Sequence, residues 1–130
     1  MLQKESNKIN HWESGIARYH FEQDVLISQS FPVQRTVENL TSNAELIRSI
    51  TNNKPTKVLV ILCKSPVPDK AARNLSARLV PELYSAMAMV SKPGLAQFVM
   101  RMVFAFSNPG IPIKIFSNQQ DALKWLTDIK

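Results

Sequence analysis

The chain has 130 residues, 45% of them hydrophobic and 20% charged, with a formal net charge of +6. That length and composition suit one globular domain that buries its own core without disulfides or a structural metal, and they leave little room for a second domain. The single cysteine, Cys63, has no partner in the chain, and no apolar run approaches the roughly 20 residues that span a bilayer.

Residues 1–12 are polar, lack the apolar stretch of a signal peptide, and are expected to form a flexible tail ahead of one domain over 13–130. Together with the unpaired cysteine, this leads to the expectation of a cytoplasmic protein. The runs "IARYHF" and "VLISQSF" are rich in β-formers and flank the polar "EQD" at 22–24, which predicts a hairpin. In the first run Ala17, Tyr19 and Phe21 share one face, and Ile16, Arg18 and His20 the other. Phe31-Pro32 closes the second strand.

Thr36 is then placed to cap a helix whose apolar stripe runs through Val37, Leu40, Ala44 and Ile47, and Asn52-Asn53 before Lys54-Pro55 stops it. "KVLVIL" at 57–62 is continuous in the manner of a strand covered on both faces. A proline-bearing loop follows, and Asp69 is a good N-cap for a helix turning Ala72, Leu75 and Leu79 inward, whose length Pro81 limits. "YSAMAMVS" at 84–91 reads as a strand with small and flexible side chains suited to a crowded centre. A third helix is expected over 94–107, a strand over 111–117, and a terminal helix anchored by Leu123, Trp125 and Leu126. The order β-β-α-β-α-β-α-β-α predicts an α/β fold with a mixed, mostly parallel sheet that starts with a β-hairpin and has helices packed on it.

Eight basic residues against two acids lie between Lys54 and Arg101, so the whole charge excess falls in the middle of the chain. It is either a solvated basic face or an attraction to an acidic partner, an anionic ligand or a membrane surface, with Lys64, Lys70 and Arg73 as the contacts nearest the central loop. Basic residues are not interleaved with aromatics, which argues against nucleic acid. With three glycines in the chain there is no Gly-rich phosphate loop. His11 and His20 show no metal-ligand spacing and supply no base for Cys63, which reads as a buried structural residue. The central acids Asp69 and Glu82 are no general acid/base pair. No catalytic residues, cofactor or metal are expected, and an enzyme is not the favoured class.

The expected helix over 94–107 has a broad stripe of Leu95, Phe98, Val99, Met102, Val103 and Phe106, with Met100 and Phe104 on a second face beside Arg101. Phe98, Met100, Arg101 and Phe104 therefore mark either a protein or homodimer contact, the lining of an apolar-ligand pocket, or simply core.

The central "KVLVIL" with its loop into "KAARNL", "YSAMAMV" running into "GLAQFVMRMV", and "IPIKIFSNQQDALKWL" together resemble the STAS-like fold, sulphate transporter and anti-sigma-factor antagonist. More closely, they are similar to small bacterial SpoIIAA-like proteins over residues 15–129. The resemblance implies a regulatory protein-interaction module. It also implies a serine or threonine in the loop after the central strand that a partner kinase phosphorylates, which maps to Ser65. The loop departs from that pattern: Cys63 and Lys64 stand where an acid is usual, Ser65 has no hydroxyl neighbour, and Pro66 and Pro68 stiffen it. Asp69 at the helix start would repel a phosphate placed close to it. The alternative reading is a small carrier holding an apolar or lipid-like ligand beneath the 94–107 helix.

Overall fold

The computed structural model describes residues 11–92, 94 and 110–129. The expected helix over 94–107, with Phe98, Met100, Arg101 and Phe104, lies outside them apart from Gly94, as do residues 1–10 of the expected tail. Six strands, β1 (Trp12–Glu13), β2 (Ala17–Glu22), β3 (Val25–Ser30), β4 (Thr56–Ile61), β5 (Tyr84–Val90) and β6 (Ile113–Phe116), form one sheet in sequential order. β1–β2 and β2–β3 pair antiparallel, while β3–β4, β4–β5 and β5–β6 pair parallel. The α/β class and the mixed, mostly parallel sheet are thus as the sequence implied. One strand was not foreseen: β1, which pairs Trp12 with Tyr19, begins inside the segment expected to be tail.

The hairpin turn is tighter than the polar run suggests. Gln23 and Asp24 both take left-handed conformations, φ 50° and 65°, the geometry of a two-residue turn whose twist matches the flanking strands. Three helices occur among the described residues: α1 (Val37–Thr51), α2 (Lys70–Leu83) and α3 (Gln119–Asp128). Each starts at a side-chain cap. The Thr36 hydroxyl accepts from the Asn39 N–H at 3.1 Å while the Thr36 N–H donates to Asn39 Oδ1 at 2.8 Å. Asp69 Oδ1 accepts from the Ala72 N–H at 2.8 Å, and Asn118 Oδ1 from the Asp121 N–H at 2.8 Å. Such contacts satisfy N–H groups that the first helical turn leaves free. α1 ends where Asn52 turns left-handed at φ 55°.

Pro81 does not end α2, which runs on to Leu83. Proline removes one intrahelical bond, but Val80 and Leu83 on either side of it are 6% and 5% exposed, and their burial holds the last turn in place.

Strand parity divides the core. Leu26, Val58, Leu62, Met87 and Met89 face α1 and α2, meeting Leu40, Ala44, Ile47, Ala72 and Leu79. Val25, Ile27, Leu59, Ala86, Ala88 and Val90 face the opposite way, onto Ala122 and Leu126 of α3. Both crossover helices lie on one side because consecutive right-handed crossovers advancing in one direction place them there. α3 then covers the other side. Of its expected anchors, Leu126 is fully buried and Leu123 and Trp125 are half-buried.

Candidate ligand cavity and contact surface

Two serines interrupt the apolar pattern of β3. Ser28 and Ser30 share the inward parity of Leu26 and are buried, yet each leaves the space a larger side chain would fill. Opposite them Asn43 occupies a core position on α1, also buried. The result is a cavity of about 140 Å³ between the sheet and the two crossover helices.

Its polar side is organised around Asn43. The Tyr19 hydroxyl donates to Asn43 Oδ1 at 2.7 Å, and the Ser14 hydroxyl donates to the same oxygen at 2.6 Å. Ser14 Oγ in turn accepts from the Ile16 and Ala17 N–H groups, each at 3.2 Å. This short chain of bonds fixes the β1–β2 connection onto α1. Tyr84 lines the cavity beside Tyr19. Burial pushes the Tyr84 phenol well above its usual value, and the neighbouring Tyr19 raises it further. Burial likewise raises the Tyr19 phenol, opposed by its bond to Asn43.

Arg35, from the β3–α1 loop, is the one charged residue on the wall among the described residues. Its Nη1 donates to the carbonyls of Phe31 and Val33 at 2.8 and 2.7 Å, and its Nη2 to that of Ile16 at 3.2 Å. Those bonds leave part of the five-donor guanidinium uncommitted. Burial lowers its pKa, and the neighbours that favour its charge are Cys63 and Tyr19. Among the described residues no carboxylate lies within ion-pair distance of it.

The central loop reaches the same place. Cys63 is half-buried, a correction to the expectation of a fully buried residue: β4 ends at Ile61, so Cys63 sits where the strand has given way to loop. Its thiol donates to the Ser30 carbonyl at 3.2 Å. Ser65 also lines the cavity and is half-buried. Lys64, Lys70 and Arg73 stand exposed around this loop, and Arg73 Nη1 donates to the Pro68 carbonyl at 2.7 Å.

Outside the cavity these two loops and the first residue of α1 carry apolar surface. Val33, Val37 and Val67 are 38%, 44% and 51% exposed. The loops are joined by Gln34 Nε2 donating to the Val67 carbonyl at 2.8 Å, so the valines lie at one end of the sheet, the carboxyl end of the parallel strands. That is where open α/β sheets place their binding sites.

Elsewhere the fold brings His11 and His20 to a ring separation of 5.3 Å, a proximity the sequence spacing hid. Among the described residues no group of three His, Cys, Asp or Glu side chains is arranged to hold a metal, and no helix is long and apolar enough to cross a membrane. The polar wall of Tyr19, Asn43, Arg35 and Tyr84 escaped the sequence reading. The usable signals were the serine pair on the inward face of a β-rich strand and an asparagine inside an apolar helical stripe.

The architecture is that of a SpoIIAA-like α/β domain. An uncharacterized protein of the DUF3478 family from Shewanella loihica, described as having a SpoIIAA-like fold, is similar to it with a TM-score of 0.61. The two are 20% identical, and the match covers 88% of this chain and 96% of that one. Residues 19–130 match the family described as a domain of unknown function, DUF7793, and the chain belongs to that family. No curated protein matches it.

Proposed function

We propose that the protein is a non-catalytic regulatory module that binds a protein partner through the carboxyl end of its parallel strands. The observation that carries this reading is the trio of exposed valines, Val33 and Val67 on two hydrogen-bonded loops and Val37 at the start of α1, bordered by Lys64, Lys70 and Arg73. An apolar centre with a basic rim suits a partner presenting a small apolar anchor among acidic side chains, where the anchor supplies affinity and the charges supply orientation and on-rate. The resemblance to anti-sigma-factor antagonists supports a regulatory role. Ser65 beside this surface is the position where phosphorylation would change its charge, although its half-buried setting and the Asp69 cap at the start of α2 make it a poor acceptor.

The test is affinity capture from extracts of the native cell with the wild-type chain and with the double variant Val67→Asp, Lys70→Glu. Both substitutions are at exposed sites and leave thermal unfolding unchanged. A protein retained by the wild type, lost by the variant, and bound by the purified wild-type chain at least about tenfold more tightly than by the variant supports the proposal. Equal retention and equal affinity for both chains refute it.

A further inference from the structure

The geometry points to a second site independent of that surface: the cavity beneath α1 and α2 binds a small organic monocarboxylate, its carboxylate at Arg35 and its apolar body among Leu79, Val80, Met87 and Met89. Three observations converge on this class of ligand. The first is size. A cavity of about 140 Å³ is close to the roughly 150 Å³ that accommodates a benzene ring in an apolar protein interior. A lipid chain is too large for it, and a body of about six carbons fits.

The second is charge. Among the described residues Arg35 is the one ionic side chain on the wall, and its partners there are three neutral carbonyls. A half-buried cation without a carboxylate is stabilised by an anion that reaches its free N–H groups. One positive charge calls for one negative charge, which disfavours phosphate monoesters and dicarboxylates.

The third is the polarity gradient. Arg35, Cys63, Ser65 and Pro68 are half-exposed, whereas Tyr19, Tyr84, Met87 and Met89 are buried. The solvent side of the cavity is therefore its charged side, and the buried wall combines the thioethers and aliphatic side chains of Leu79, Val80, Met87 and Met89 with the uncharged polar groups of Tyr19, Ser28, Asn43 and Tyr84. A carboxylate held at the entrance leaves an apolar body pointing inward, past the Tyr19 hydroxyl that already donates to Asn43 Oδ1. Thioethers of methionine adapt their shape to such a body at little cost.

Benzoate serves as the probe, with the isosteric neutral benzamide and the dianion phthalate as controls. Titration calorimetry on the full chain is expected to give a benzoate Kd on the order of 100 µM for about nine non-hydrogen atoms. Binding of both controls should be at least about tenfold weaker. Arg35→Gln should weaken benzoate roughly 10- to 100-fold. Because Arg35 also ties its loop to Ile16, a second measurement uses the intact protein: saturating benzoate should slow alkylation of Cys63 by iodoacetamide at least about tenfold, while benzamide should not. Equal protection by benzoate and benzamide, no protection by benzoate, or undiminished benzoate binding by a folded Arg35→Gln variant each overturns the inference. Since Val67 and Lys70 do not line the cavity, the Val67→Asp, Lys70→Glu variant is expected to bind benzoate normally, so failure of one site is distinguishable from failure of the other.

Discussion

Asn43→Ala removes the oxygen on which two hydroxyls converge. In the folded protein Tyr19 is 2% exposed and its hydroxyl donates to Asn43 Oδ1, as does that of Ser14. Each lost bond is worth about 0.5–1.5 kcal/mol net, and a buried hydroxyl left without an acceptor costs about 1–3 kcal/mol. The neighbouring cavity lets water reach the orphaned group and offsets part of that penalty. The expected destabilisation is therefore about 2–3 kcal/mol, read as a lower urea midpoint at unchanged slope. The companion variant Tyr19→Phe removes the donor and spares the acceptor, which keeps Ser14. In the double variant the buried phenol hydroxyl is gone and only the half-buried Ser14 hydroxyl has lost its acceptor, so its cost should fall short of the sum of the singles by about 1–2 kcal/mol. A loss below about 0.5 kcal/mol for Asn43→Ala, or strict additivity, would refute the view that this asparagine organises the polar wall.

The opposite face and the phenols give further tests. Leu126→Ala, at a fully buried site against Ala86 and Ala88, should cost about 2–4 kcal/mol. It should lower the thermal midpoint by roughly 10 °C, and a shift under about 3 °C would mean that α3 adds little to the fold. The raised pKa values of Tyr19 and Tyr84 mean that folding favours the protonated phenols. Their contribution is complete below the unfolded value of about 10 and is lost as the pH climbs from there through the folded values. Urea midpoints should be level from pH 8 to 9.5 and fall by pH 11, and the fall should be shallower in Tyr84→Phe. Equal slopes in the two proteins would count against the buried phenol as its source.

The sheet and its helices were legible because local and global signals agree in them. The caps at Thr36 and Asp69 and the continuous run through β4 stand where the sequence places them. β1 was missed because two residues carry no periodicity, and the contact that ties the segment after it to α1, Ser14 to Asn43, spans 29 positions. Pro81 misled because a propensity rule weighs a lost hydrogen bond without the burial of Val80 and Leu83 that compensates it. The cavity wall was invisible for a different reason. Tyr19, Asn43 and Tyr84 each look like ordinary core or helix residues, and only the tertiary fold brings their polar ends together. Ser28 and Ser30 carried a signal that the sequence reading passed over, since two hydroxyls on the core side of a strand imply missing volume.

The two flanks of the sheet have a consequence for how this molecule avoids its own kind. β1 has two residues and β6 has four, with charged, exposed Glu13 in one and Lys114 in the other. Strands so short offer few free N–H and C=O groups as a template, and a charge among them discourages another chain from zipping on. The longest and most apolar strands, β3 to β5, are shielded in the middle of the sheet. Fibril-like growth along the sheet direction is thereby disfavoured at both flanks.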